Sequence, residues 1–413
     1  MNVHRRYGAA ALLVALAVGC GFLDDAPYGG GRGTGADRHL AGPATPRPAA
    51  RPESPPAHSA HPAHPAHTES PPAHPGAKPF TLVASGDVIA SYPSVLDTAR
   101  QDAGGSGYEY RRILAGVRPV IEHAGLAVCH LETPLGPPGG PFTGYPVFKA
   151  PPQVADALRA TGYDSCSTAS NHTLDDGEEG VRRTLDVLDQ AGLRHVGSAR
   201  DAAEAARPAM LTAPGGARVA QLSYTYGTNG VPLPDGKPWT VNPIDARRIV
   251  ADARAARRAG ADIVLVSPHW GTEYQTAPDE QQLSVARAIT AARTAGRPDI
   301  DLVIGTHAHT PQPYEKVNGT WVVYGMGDQI AGIMESERGN WGTIARFRFA
   351  PPEGEGRRWR VTSAEYIPQL SDHGPPLRMV DLTATRRFPD VREEIREAVL
   401  SRGAARDGLT EGR

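Results

Sequence analysis

Thr168-Ala169-Ser170-Asn171-His172-Thr173-Leu174-Asp175-Asp176-Gly177 is a polar, glycine-bounded loop that follows an apolar run, and its Asn-His pair has few uses in packing. Alone, Asn171 and His172 could form a turn, because Asn tolerates left-handed backbone. Their companions argue otherwise. Acidic and imidazole groups recur at the ends of similar runs: Asp87 after Thr81 to Ser85, Glu132 after Leu126 to Val128, His269 after Ile263 to Val266, and His307 with His309 after Leu302 to Ile304.

A parallel sheet gathers the loops at the carboxyl ends of its strands, so residues far apart in sequence can converge on one crevice. Imidazole and carboxylate together suit borderline or hard divalent ions, and the Asn amide oxygen adds a neutral donor. The run ends therefore predict a metal site. His307 and His309, two apart at a strand end, are expected to point to one side.

Five stretches carry a family resemblance: Ser85-Gly86-Asp87-Val88, His130-Leu131-Glu132-Thr133-Pro134-Leu135, Ala169-Ser170-Asn171-His172-Thr173-Leu174-Asp175, His269-Trp270-Gly271-Thr272-Glu273-Tyr274 and Gly305-Thr306-His307-Ala308-His309. In this order they resemble the motifs of CapA-type poly-γ-glutamate capsule proteins, within the calcineurin-like metallophosphatase superfamily. The resemblance covers roughly Phe80 to Ile330. It implies an α/β, metallophosphatase-like layered sandwich of two sheets flanked by helices, with two divalent ions (Mn, Zn or Fe) at one edge. It also implies Asp87, Glu132, Asn171, His269, His307 and His309 as ligands, Glu132 bridging, and His172 as the acid or charge-stabilising group facing the substrate.

The chain departs from the pattern twice. Superfamily members usually open with Asp-x-His, whereas Asp87 is followed by Val88 and Ile89. His130 and Asp328 stand where the CapA-type pattern commonly has Asn. Each of these two could be a substitute ligand or could orient a ligand from behind.

Function follows as an expectation. The resemblance implies a surface protein for synthesis, export or anchoring of an anionic polymer, with a hydrolase site. The alternatives are a general extracytoplasmic phosphoesterase or a non-catalytic polymer-binding protein on the same fold. Capsule-synthesis proteins would be its partners. The formal net charge of -2 gives no basic signature for nucleic acid, and none is expected as a partner.

The amino end predicts export. Arg5 and Arg6 precede an apolar run from Gly8 to Val18 that is too short to span a bilayer comfortably, and Ala17-Val18-Gly19-Cys20 resembles a lipoprotein cleavage site. Residues 1–19 read as the signal and Cys20 as the lipidated first mature residue, anchoring the protein to the outer face of the cell membrane. Residues 20–79 read as a Pro/Ala/His-rich tether with too little apolar surface to order itself. Its His58, His61, His64 and His67 would fall on one face of a polyproline II chain, about 9 Å apart. Outside the cytoplasm Cys129 and Cys166 form either a disulfide or two buried thiols.

Residues 80–332 then alternate strand-length apolar runs with helical patterns, which predicts an α/β domain with much parallel pairing. Helices are expected over 151–161, 178–191, 245–259 and 280–295, with Arg247, Arg248, Arg254, Arg257 and Arg258 on a solvated face. Residues 333–413 read as an extension: a hairpin of 343–349 with 359–367 completing a sheet, then a terminal helix over 390–400.

Overall fold

The computed structural model describes residues 77–354 and 358–413. The signal segment, Cys20 and the histidine-bearing part of the tether lie outside the described residues. Among the described residues no helix is long and apolar enough to cross a membrane.

The strand Phe80–Val88 organises the first sheet. It runs parallel to Leu126–Leu131, which is followed outward by Ser165–Ser167 and Arg194–Val196, also parallel. On its other side Trp341–Ala350, Arg360–Asp372 and Arg378–Asp381 continue antiparallel, and Asp328–Ile330, parallel to Phe80–Val88, with Leu409–Glu411, parallel to Arg360–Asp372, brings the sheet to nine strands among the described residues. In the second sheet Thr320–Val323, Leu302–Ile304, Ile263–His269 and Arg218–Thr225 are parallel neighbours, with Tyr314–Val317 and Ala209–Thr212 antiparallel at its edges.

Side-chain alternation makes these sheets into layers. Leu82 and Ala84 face inward against Ile263, Leu265, Leu302 and Ile304 of the second sheet. Val83 faces outward, into a cluster shared with Val181, Leu185 and Leu188 of the helix Gly177–Gln190. Val264 and Val266 meet Ile249, Ala253 and Ala256 of the helix Ala246–Arg258 on the far side. The result is a helix–sheet–sheet–helix sandwich, as the resemblance implied. Each fully buried large aliphatic side chain contributes roughly 1.5–3 kcal/mol.

Three expectations change. The helix over 280–295 is Glu280–Ala291, started by a capping box between Asp279 and Gln282 and ended by the short hairpin Arg293–Thr294 with Arg297–Pro298. Ala295 and Gly296 both have positive φ there, the geometry of a two-residue hairpin turn that no helix can absorb. Arg257 is not solvated: it is largely buried, paired with Asp301 and donating to the Asp262 carbonyl. Burying its aliphatic stem brings the guanidinium onto a carboxylate. Finally, the helix Pro389–Leu400 is not terminal, because Leu409–Glu411 returns to pair parallel with Arg360–Asp372.

Candidate metal centre

Strand direction places the site. Phe80–Val88, Leu126–Leu131, Ser165–Ser167 and Ile263–His269 all run toward one rim, and their last residues or following loops carry the polar groups. Two glycines permit the close approach. A Cβ at Gly86 would stand 1.7 Å from the Gly327 carbonyl oxygen, and one at Gly305 would stand 2.0 Å from that of Tyr324. The first contact lets Asp87 and Asp328 pair across adjacent parallel strands.

Asp87, Glu132, Asn171, His269, His307 and His309 are all buried and all converge. Glu132 Oε1 lies 3.8 Å from Nε2 of both His269 and His309. Asp87 lies 3.8 Å from His269 Nδ1 and 3.7 Å from His309 Nδ1, and its Oδ2 accepts the His307 backbone N–H at 2.9 Å. Asn171 Oδ1 is 2.8 Å from His269 Nε2. Metal-capable groups among the described residues include Asp87–Glu132–His309 and Glu132–His269–His307, which share Glu132, and Asp87–His130–His269.

The two open residues take different places. His130 is in register with Asp87 on the neighbouring strand; Ser167 Oγ fixes its Nδ1 at 2.8 Å, and Nε2 sits 3.7 Å from Asp87 Oδ1 without a hydrogen-bond partner. It groups with Asp87 and His269 within reach of a common ion, on the strand beside the one where Val88 and Ile89 offer no imidazole. Asp328 instead holds His309 Nδ1 at 2.9 Å, turning Nε2 toward Glu132. The spacing argument for His307 and His309 fails in detail. The strand stops at Ile304, and both histidines sit in a loop with positive φ, so left-handed backbone rather than strand alternation brings the rings to the site.

His172 hangs beside this cluster. Its Nδ1 contacts Asp175 Oδ2 at 2.7 Å, and its ring meets Phe148 edge-on at 4.7 Å. Cys129 and Cys166 face each other on the strands that lead to Glu132 and Asn171, and they are joined as a disulfide.

Sequence reading did not include Glu273, Tyr226 or Thr306 among the site residues. Glu273 forms a further metal-capable group with His307 and His309, Tyr226 packs its ring 4.4 Å from that of His307, and Thr306 Oγ1 holds His269 Nδ1 at 3.0 Å. Glu273 and Thr306 lay inside quoted motifs. Tyr226 follows the strand Arg218–Thr225, whose Arg218, Gln221, Ser223 and Thr225 hide it from a search for apolar runs.

Electrostatics favour a cation here. Burial pushes Asp87 up to about 8, and Asp328 adds to it. Burial likewise pushes Glu132 well above the carboxylate range, while it pulls His130 down to about 3 and His307 well below the imidazole range. Burial also opposes charge on His309, but Asp328, Glu132 and Asp87 together hold it well above its ordinary value. Asp87 Oδ1, Glu132 Oε2, His130 Nε2, His307 Nδ1 and Asp328 Oδ2 are buried with no hydrogen-bond partner. Neutral imidazoles and unsatisfied carboxylates, with no thiolate among them, fit a divalent cation.

The family model described as bacterial capsule synthesis protein PGA_cap matches residues 81–332, more than half of the chain. The chain belongs to this capsule synthesis family. A probable polyglutamine synthesis accessory protein of Mycobacterium tuberculosis is 33% identical over 226 residues, covering 51% of this chain and 57% of that protein. The PGA biosynthesis protein CapA of Bacillus subtilis is 28% identical over 174 residues, covering 42% and 44%. This family member therefore matches about half the length of those relatives. A solved structure similar to it is a putative 5'-nucleotidase from Staphylococcus aureus, 15% identical with a TM-score of 0.44, covering 77% of this chain and 58% of that one.

Proposed function

We propose that this domain is a two-metal hydrolase serving capsule polymer synthesis, export or anchoring, exported and held at the cell surface through lipidated Cys20. The sharing of Glu132 between two triads carries the two-metal reading, because one carboxylate can give an oxygen to each ion. Asp87 and His309 would hold one ion and His269 and His307 the other, with His130 beside Asp87 and Asn171 beside His269. When bound, two divalent ions would supply Lewis-acid activation of water and charge stabilisation for displacement at a phosphoester.

The chain's own groups do the rest. Asp328 fixes the tautomer of His309, and Thr306 that of His269. Asp175 holds His172 through Nδ1, which leaves Nε2 to give a proton to the leaving oxygen. The disulfide ties the strand before Glu132 to the strand before Asn171. The buried floor lowers the local dielectric and strengthens every one of these interactions.

The capsule role is supported by family membership and by relatives whose names refer to polyglutamine, PGA or capsule synthesis; the signal-like pattern of residues 1–20 supports the location. His172→Ala is expected to lower turnover of phosphomonoester and phosphodiester substrates by about 100- to 10,000-fold while elemental analysis shows unchanged metal. Equal losses of turnover and metal would assign His172 to the ligands instead.

A further inference from the structure

One hydrogen bond at the rim joins a loop of the second sheet to a proposed ligand of the first. Asn171 is buried and its amide is held from both ends: Oδ1 lies 2.8 Å from His269 Nε2 and accepts from Ser170 Oγ at 3.3 Å, while Nδ2 donates to Asn229 Oδ1 at 3.2 Å. Such an amide offers a metal only its oxygen, because its nitrogen carries two donor hydrogens. Turned over, the same side chain would bring N–H groups to the place of that oxygen. A hydroxyl and an imidazole can each donate or accept, so Ser170 and His269 fit either orientation. The Asn229 carbonyl oxygen fits only the one in which Oδ1 faces His269.

The loop that carries Asn229 is anchored on both sheets. The Tyr226 N–H donates to the His269 carbonyl at 2.9 Å, and the Val231 N–H to that of Thr228 at 2.9 Å. At the centre of this tight turn Asn229 and Gly230 have φ of 50° and 77°, the Asn-Gly pattern of a type I′ turn. Further along, Leu233 packs on the outer cluster of the first sheet, and Lys237 Nζ meets both carboxylate oxygens of Glu178 at 2.5 and 2.7 Å. The turn by itself accounts for a left-handed Asn, and a Gly would serve it equally. It does not account for the bond to Asn171.

We propose that Asn229 is a positioning residue, which holds the Asn171 amide with Oδ1 toward an ion beside His269 and so makes Asn171 a ligand. This inference rests on the metal reading of the site. Full-length protein stripped by chelator is titrated with Mn, and its metal-free melting temperature is measured, for the wild type and Asn229→Gly, each also in an Asn171→Asp background. Asn229→Gly keeps the left-handed turn and removes the accepting oxygen. The Asn171→Asp carboxylate presents an oxygen whichever way it is turned. The expected result is about tenfold weaker binding of one Mn in Asn229→Gly, an unchanged melting temperature, and little or no loss from the same change beside Asn171→Asp. Unchanged Mn affinity in Asn229→Gly would assign Asn229 to the turn alone and overturn the positioning role, with the metal reading intact. A loss of equal size beside Asn171→Asp would overturn it too, because Asn229 would then act by another route. A folded wild type that takes up no Mn would overturn both.

Discussion

The same strands build two unlike regions. At their middles, Leu82, Ala84, Leu265 and Ile304 fill the space between sheets, each apolar and buried. A few residues further on, Asp87, Glu132, His130 and His307 are buried as completely, yet carry polar atoms with no partner. The first region stabilises the fold without help. The second opposes it, since buried polar groups left unpaired cost about 1–3 kcal/mol each. A bound cation would turn that frustration into binding, so the contrast separates what makes the sandwich from what would make it a site.

Substitution at a strand middle gives the largest expected effect on folding. Leu265→Ala should lower unfolding free energy by about 2–5 kcal/mol, read by chemical denaturation, while metal per folded chain stays unchanged. A simultaneous loss of metal would mean that the two regions are not separable.

Next in size is a change behind the proposed metal ligands. Asp328→Asn weakens the hold on His309 and should reduce metal affinity by about 10–100-fold, measured by titration, with little change in stability under chelation. An unchanged affinity would remove Asp328 from the account.

The smallest effect is a drift with pH. Asp87 is raised to about 8 when folded from 3.8, so its stabilising contribution is present at low pH and fades as pH climbs through 8. Glu132 and His309, also raised, act in the same direction. His130, His269 and His307 are depressed, and their penalty on folding is confined to pH below the ordinary imidazole value near 6.5. Between about pH 6.5 and 8 the chelated protein should therefore lose stability, and added metal should stabilise it more at 8 than at 6.5. A flat or rising melting temperature across that window, with chelator, would contradict the charge assignments.

This contrast also explains what the sequence could reveal. Apolar runs with period-two alternation are governed by the local backbone, so the layers and most helices were legible. Polar residues at run ends were legible for the same reason, since nothing in packing asks for Asn171 or His269 there. His130 and Asp328 were visible but ambiguous, because ligand and ligand-orienting roles differ only in which atom faces inward. Tyr226 and the hold of Thr306 on His269 depend on how the second sheet docks against the first, a contact that no local pattern encodes. Arg257 misled because its helix looks like a solvated basic face until Asp301, from a distant loop, meets it.

Metal stoichiometry tests the central claim most directly. Elemental analysis of the purified protein after reloading with Mn or Zn, beside Glu132→Ala, is predicted to give close to two ions per wild-type chain and a loss from both positions in the variant. A well-folded wild type that retains no metal after reloading would contradict the account.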